Sequence, residues 1–164
     1  MASTYTPIAT TTLGSAAASV TLSSISGAYT DLILVISAQG ASGASSAINA
    51  YFNSDTAANY SYTQVTGDGT TAASARNQDS TRMRLGWSAI SSAFGVSIVH
   101  IENYANTTTN KTTLVRFNDA AAITGAAVNT WRSTAAVTGI TMNLNSGANF
   151  NTGSTFTLYG VKSA

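Results

Sequence analysis

The amino-acid sequence predicts an all-β chain, a two-sheet antiparallel β-sandwich of jelly-roll type with an N-terminal arm. Three observations lead there. No segment carries a convincing helical period. Short runs of Val, Ile, Thr, Tyr and Phe recur along the whole chain, bounded by Gly, Asn, Asp and Ser. No fixed repeat and no shift of composition divides the 164 residues, so residues 1–164 read as one domain. Strands at this spacing close a sandwich or a barrel, and the absence of helices argues against βαβ units. An immunoglobulin-type Greek key is the second choice.

About ten strands follow from the pattern. The first runs from Thr4 to Leu13, and Pro7 confines it to an edge or to a detached arm over residues 1–13, because proline has no N–H for a ladder. Ser19 to Ser23 is short. Asp31 to Ala38 contains the unbroken run Leu32-Ile33-Leu34-Val35-Ile36, which predicts a central strand covered on both faces. Gly40 to Ser46 is a small-residue loop, followed by strands at Ile48 to Asn53 and Tyr60 to Thr66. Gly67-Asp68-Gly69-Thr70 makes a turn, since glycine accepts positive φ and aspartate caps its own backbone. Thr70 to Asp79 is expected to be a long exposed loop. Strands follow at Arg82 to Trp87 and Val96 to Asn103, then a polar turn at Asn106 to Asn110. Thr112 to Phe117, Ala126 to Arg132, Val137 to Leu144 and Ser154 to Val161 complete the series.

Composition narrows the function classes. Hydrophobic residues make up 44% of the chain but charged residues only 8%, against about 25% in ordinary soluble domains. Ser, Thr, Asn, Gly and Ala take their place. Such a surface is neutral and hydrogen-bonding, so copies can pack closely without charge repulsion. The net charge is +1, and Arg76, Arg82, Arg84, Lys111, Arg116, Arg132 and Lys162 are scattered. Nucleic-acid binding needs clustered cations, so it ranks low. There is no cysteine, which removes disulfides and thiolate chemistry together. The opening residues lack a basic and then apolar leader, and no run is long enough to cross a bilayer. Synthesis in a cytoplasm and no membrane partner are the expectations.

Candidate chemistry is sparse. His100 and Glu102 share one strand face by their spacing, but no third group is placed to orient them, and a surface histidine is the more economical reading. Asp31, Asp55, Asp68, Asp79, Glu102 and Asp119 are the carboxylates. A glycan hydrolase needs two of them across a cleft, whereas most sit in turn contexts such as Asn53-Ser54-Asp55. Calcium at Asp55, Asp68 or Asp79 lacks the alternating aspartate pattern of a binding loop. Gly67-Asp68-Gly69 and Gly40-Ala41-Ser42-Gly43 lack the Lys-Ser/Thr ending of a phosphate cradle. Asn59, Asn106 and Asn110 head glycosylation triplets that an Asn/Ser/Thr-rich chain produces by chance. No catalytic residue, cofactor or metal is expected. The aromatic residues offer the one alternative: Tyr60, Tyr62, Trp87 and Trp131 as a platform for sugar rings, against core packing as the default.

Whole stretches resemble small virion proteins of tailed bacteriophages, marine and cyanobacterial phages among them. They are Tyr5-Thr6-Pro7-Ile8-Ala9-Thr10, Ser19-Val20-Thr21-Leu22-Ser23-Ser24-Ile25 and Tyr29-Thr30-Asp31-Leu32-Ile33-Leu34-Val35. Asn59-Tyr60-Ser61-Tyr62, Asn106-Thr107-Thr108-Thr109-Asn110-Lys111 and Thr155-Phe156-Thr157-Leu158-Tyr159-Gly160-Val161-Lys162 belong with them. The resemblance implies a structural component of the virion, with the major capsid protein or other virion proteins as partners. Two roles follow as expectations. One is a capsid decoration (cement) protein, homo-oligomeric and trimeric if it sits at local threefold junctions, touching capsid or neighbours through Tyr5, Pro7 and Ile8. The other is a tail-fibre tip that binds host surface glycan.

Overall fold

The computed structural model describes residues 4–41, 46–88, 93–119 and 123–162. The described residues hold twelve strands and no helix: β1 Tyr5–Thr12, β2 Ser19–Leu22, β3 Asp31–Ala38, β4 Ser46–Phe52, β5 Tyr60–Gly67, β6 Ala72–Ser80, β7 Met83–Ser88, β8 Gly95–Glu102, β9 Lys111–Asp119, β10 Ile123–Trp131, β11 Ile140–Leu144 and β12 Thr155–Val161. They form two antiparallel sheets packed as a β-sandwich. The large sheet runs β1-β12-β3-β8-β9-β10-β5-β6 and the small one β2-β11-β4-β7.

The pairing is nested. β1 pairs with β12, β2 with β11, β3 with β8 and β4 with β7. The chain thus runs out along four strands and returns along their partners. The ribbon is then folded over so that β12 also meets β3 and β11 also meets β4. Two hairpins interrupt this plan, β5–β6 between β4 and β7 and β9–β10 between β8 and β11. Both join the β8 side of the large sheet and widen it into a wing.

Alternation makes the core. β3 reads half-buried and buried in strict turn, so Leu32, Leu34, Ile36 and Ala38 face the small sheet. Val99 and Ile101 of β8, Val115 and Phe117 of β9, and Phe156 and Leu158 of β12 join them from the large sheet. Ile48, Ala50 and Phe52 of β4 and Ile140, Met142 and Leu144 of β11 meet them from the small one. At roughly 25 cal/mol per Å2 of apolar surface, each such aliphatic side chain contributes about 1.5–3 kcal/mol.

Several expectations are revised. Residues 72–80 are not a loop but the edge strand β6, paired with β5 from Ala72↔Gly67 to Ser80↔Tyr60. Its Ala, Ser, Asn and Gln side chains carry no strand propensity, and the ladder to β5 overrides them. β3 is not covered on both faces: Ile33 and Val35 stay half-exposed on the outer side. Of the two readings of the opening segment, edge strand or arm, residues 5–12 take the edge strand. β1 is registered on β12 from Tyr5↔Val161 to Thr12↔Thr155, and Ile8, Ala9 and Leu13 pack against the core. In the strand expected at Val137 to Leu144 the ladder begins only at Ile140. In the loop expected at Gly40 to Ser46, residues 42–45 lie outside the described residues, as do residues 1–3 of the opening segment.

Candidate interaction surface

The outer face of the large sheet is where exposed apolar side chains collect. Register alone fixes two rows across all eight strands. The first is Pro7, Tyr159, Ile33, His100, Leu114, Val128, Thr63 and Arg76. The second, one pleat along, is Thr10, Thr157, Val35, Ile98, Arg116, Ala126, Val65 and Ser74. Leu114 and Val128 are 45% exposed and Val65 is 56% exposed. Together with Ile33, Ile98 and Ala126 they line a shallow groove of about 500 Å3 along the middle of the sheet. Arg116 and His100 also line it, and His100 Nε2 lies 3.7 Å from Asp31 Oδ2. Asp31 Oδ1 is occupied by the Asn103 N–H at 2.7 Å. Among the described residues no three His, Cys, Asp or Glu side chains converge as metal ligands, and no helix is long and apolar enough to cross a membrane.

The residues proposed as neighbour contacts divide. Tyr5 is 56% exposed and Pro7 lies in the first outer row, but Ile8 turns toward the core. The glycan platform is not assembled. Tyr60 and Trp131 are core residues, stacked at 6.3 Å between ring centroids, with Phe52 edge-on to Trp131 at 5.6 Å. They are buried because β5 and β10 set both inward at Trp131↔Tyr60. Trp87 is half-buried against the core, and the Arg84 guanidinium lies 5.6 Å above the ring of Tyr62.

Asp55, Asp68 and Asp79 each have a partner. Asp55 Oδ2 accepts from Trp131 Nε1 at 2.7 Å and Asn59 Nδ2 at 2.9 Å, while Oδ1 accepts from the Ala57 N–H. Burial works to raise its pKa, but these three bonds outweigh burial and hold the carboxyl below the usual aspartate range. Asp68 Oδ1 takes the N–H groups of Thr70 and Thr71, as an Asx turn requires, and those bonds hold it low. Asp79 pairs with Arg132 at 3.2 Å. Sequence reasoning missed Lys111. This amine is fully buried opposite Trp131, and its Nζ donates to the carbonyls of Thr109 at 2.7 Å and Thr134 at 3.2 Å. Burial lowers its pKa. The sequence reading began this strand at Thr112 and left Lys111 just outside it, whereas β9 starts at Lys111 with its side chain inward.

A second depression lies at one end of the small sheet. Thr21, Ser23, Ser24, Ser54, Thr138 and Thr141 line a polar cleft of about 470 Å3. Ser24, Asn53 and Ser54 adopt positive φ there. Asn53 holds the cleft wall, accepting from the N–H groups of Thr138 and Gly139 and donating to the Ala136 carbonyl. No protein-family model matches the sequence, and no curated protein matches it.

Proposed function

We propose that this chain is a structural protein of a bacteriophage particle, a decoration protein bound to the head shell. The observation that carries the reading is the outer face of the large sheet. Val65, Leu114 and Val128 are exposed side by side on adjacent strands, with Ile33 and Ile98 beside them in the groove. Contiguous exposed apolar side chains with a polar rim mark protein–protein contacts, and a shell offers a wide, repeated protein surface to meet them. The nested strand order supports the same placement: β1-β12-β3-β8 facing β2-β11-β4-β7 is the order that two Greek keys leave when an antiparallel ribbon is rolled up, so we read these eight strands as a jelly roll. The likeness of the sequence to phage virion proteins supports it too. The partners on this reading are the major capsid protein and further copies of the chain. Binding only to the assembled shell stabilises that shell by linkage.

The alternative, a fibre tip that binds glycan, loses its aromatic platform to the core. It keeps the hydroxyl-lined cleft between Thr21 and Thr141, whose hydrogen-bonding groups suit sugar hydroxyls.

Immunogold labelling of intact particles separates the two. Gold over the head is expected. Gold confined to the tail end would transfer the assignment to the fibre reading, and a glycan array with Thr141→Trp as the blocked variant would then test the cleft. A Leu114→Asp/Val128→Asp double variant is expected to fold normally and to fail to decorate heads. Full decoration by that variant would exclude the outer face as the contact.

A further inference from the structure

The two edges of the large sheet are built differently. At the β1 edge stands Pro7, the only proline of the chain, and the register shifts between Pro7 and Ala9. A missing N–H and a bulge both interrupt the row of hydrogen-bonding groups, which is how proteins blunt an edge. β6 carries no proline, and Arg76 is the only charged residue between Ala72 and Gln78. Eight of its nine residues are exposed, so both of its faces and its outer edge meet solvent. Its only strand neighbour is β5, and Arg132 clamps its far end at the Gln78 carbonyl and the Asp79 carboxylate. A ribbon wetted on both faces and open along one side is a marginal structure by itself.

We infer that β6 is a self-association edge, at which two copies pair their β6 strands antiparallel about a two-fold axis and join two eight-stranded sheets into one. A two-fold contact sets the same edge against itself, so both open rows are satisfied at once and assembly closes at the dimer. Pairing β6 with β1 of a neighbour would run the ladder into Pro7 and its bulge. Identical antiparallel strands expose the backbone groups of the same alternate residues, so the axis must pass through a residue position. At Arg76 it would oppose two guanidinium groups, and at Ala75 or Asn77 it would leave them diagonal neighbours. At Ser74 it sets Ser74 against Ser74 and Arg76 against Ala72. The ladder to β5 is regular from Ala72 to Asn77 and irregular beyond, which also centres the straight part of the edge there. We place the axis at Ser74.

This inference does not rest on the particle assignment. A single strand pair buries less than a standard interface, so micromolar dimerisation is expected in solution, strengthened wherever many copies are arrayed together. Sedimentation equilibrium of the full chain tests it, with two variants. Directly opposed residues lie about 4.5–5.5 Å apart, within disulfide reach. The chain has no cysteine of its own. Ser74→Cys should therefore form a disulfide dimer under mild oxidation far faster than Thr152→Cys, an exposed control. Ser74→Lys sets two ammonium groups at the axis and should weaken the dimer at least about tenfold with an unchanged thermal melt. A chain that stays monomeric up to hundreds of micromolar would overturn the inference. So would equal cross-linking of the two cysteine variants, or a Ser74→Lys chain that dimerises like the parent.

Discussion

Asp55 joins a turn to the core through three hydrogen bonds, one of them to the indole of Trp131. Replacing it by alanine leaves a buried indole N–H without its partner and frees the Asn59 turn. A loss of about 2–3 kcal/mol is expected, read by urea unfolding with tryptophan fluorescence. The pH dependence follows from the depressed carboxyl. Its stabilisation is complete above the unfolded value of 3.8 and is lost as pH falls through the lower folded value. Asp55→Asn should flatten that acid limb, and an unchanged acid limb would assign the loss to other carboxylates. Tyr60 acts at the opposite end of the scale. Its hydroxyl donates to the Asp55 carbonyl at 2.9 Å and accepts from the Phe52 N–H at 3.1 Å, and burial raises its pKa above the ordinary 10.0. The unfolded chain releases this proton from about pH 10 upward while the folded chain retains it, so stability present below pH 10 falls above it. Tyr60→Phe should cost about 1 kcal/mol at neutral pH and lessen the alkaline loss, as measured by thermal melts from neutral to alkaline pH. The burial of Tyr60 and Trp131 was only half legible in the sequence. Both are amphipathic rings in strand patterns, and which face of a strand they take is decided by register with β10, a contact far away along the chain.

At the scale of elements, close approaches of backbone to backbone decide what each strand tolerates. Gly86 of β7 has φ +116° and lies under β8 and β9, where an added Cβ would stand 2.6 Å from Phe117 Cβ. Gly86→Ala combines a backbone strain with an overlap and should destabilise the chain by at least about 2–3 kcal/mol. Gly14→Ala, with nothing within 4 Å, serves as the matched control in the same denaturant series. Equal stability of the two would mean that β7 can lift from the large sheet. Strand existence was legible wherever β-branched, aliphatic and aromatic residues gather between turn residues, as in β3, β8 and β12. β6 was not, because Ala-Ala-Ser-Ala-Arg-Asn-Gln-Asp-Ser has the composition of a loop and owes its shape to the ladder with β5. The same weakness makes β6 the first element expected to lose amide protection in hydrogen exchange when the chain is held monomeric.

At the scale of the whole molecule, the chain ends carry unequal weight. β1 and β12 are paired, so the first and last strands meet, yet β12 lies between β1 and β3 while β1 lies at the edge. Such a partnership between the two ends of the chain leaves no local trace in the sequence, which is why the all-β class and the sandwich were legible and the strand order was not. Removing residues 1–13 takes away one edge strand and the core contacts of Ile8, Ala9 and Leu13. It should lower stability by a few kcal/mol and leave a folded sandwich. Removing residues 155–164 takes Phe156 and Leu158 from the core and strips partners from both β1 and β3, so no cooperative unfolding transition should remain. Circular dichroism melts of the two truncations check this difference directly. The N-terminal truncation then becomes an instrument for function. It spares Leu114 and Val128 at the middle of the outer face and removes Tyr5 and Pro7 from its rim. If the groove supplies most of the binding free energy, heads should still take up the truncated protein and gain heat resistance from it, with a modest loss of affinity. Heads left bare by a folded truncated chain would shift the main contact to the β1 edge.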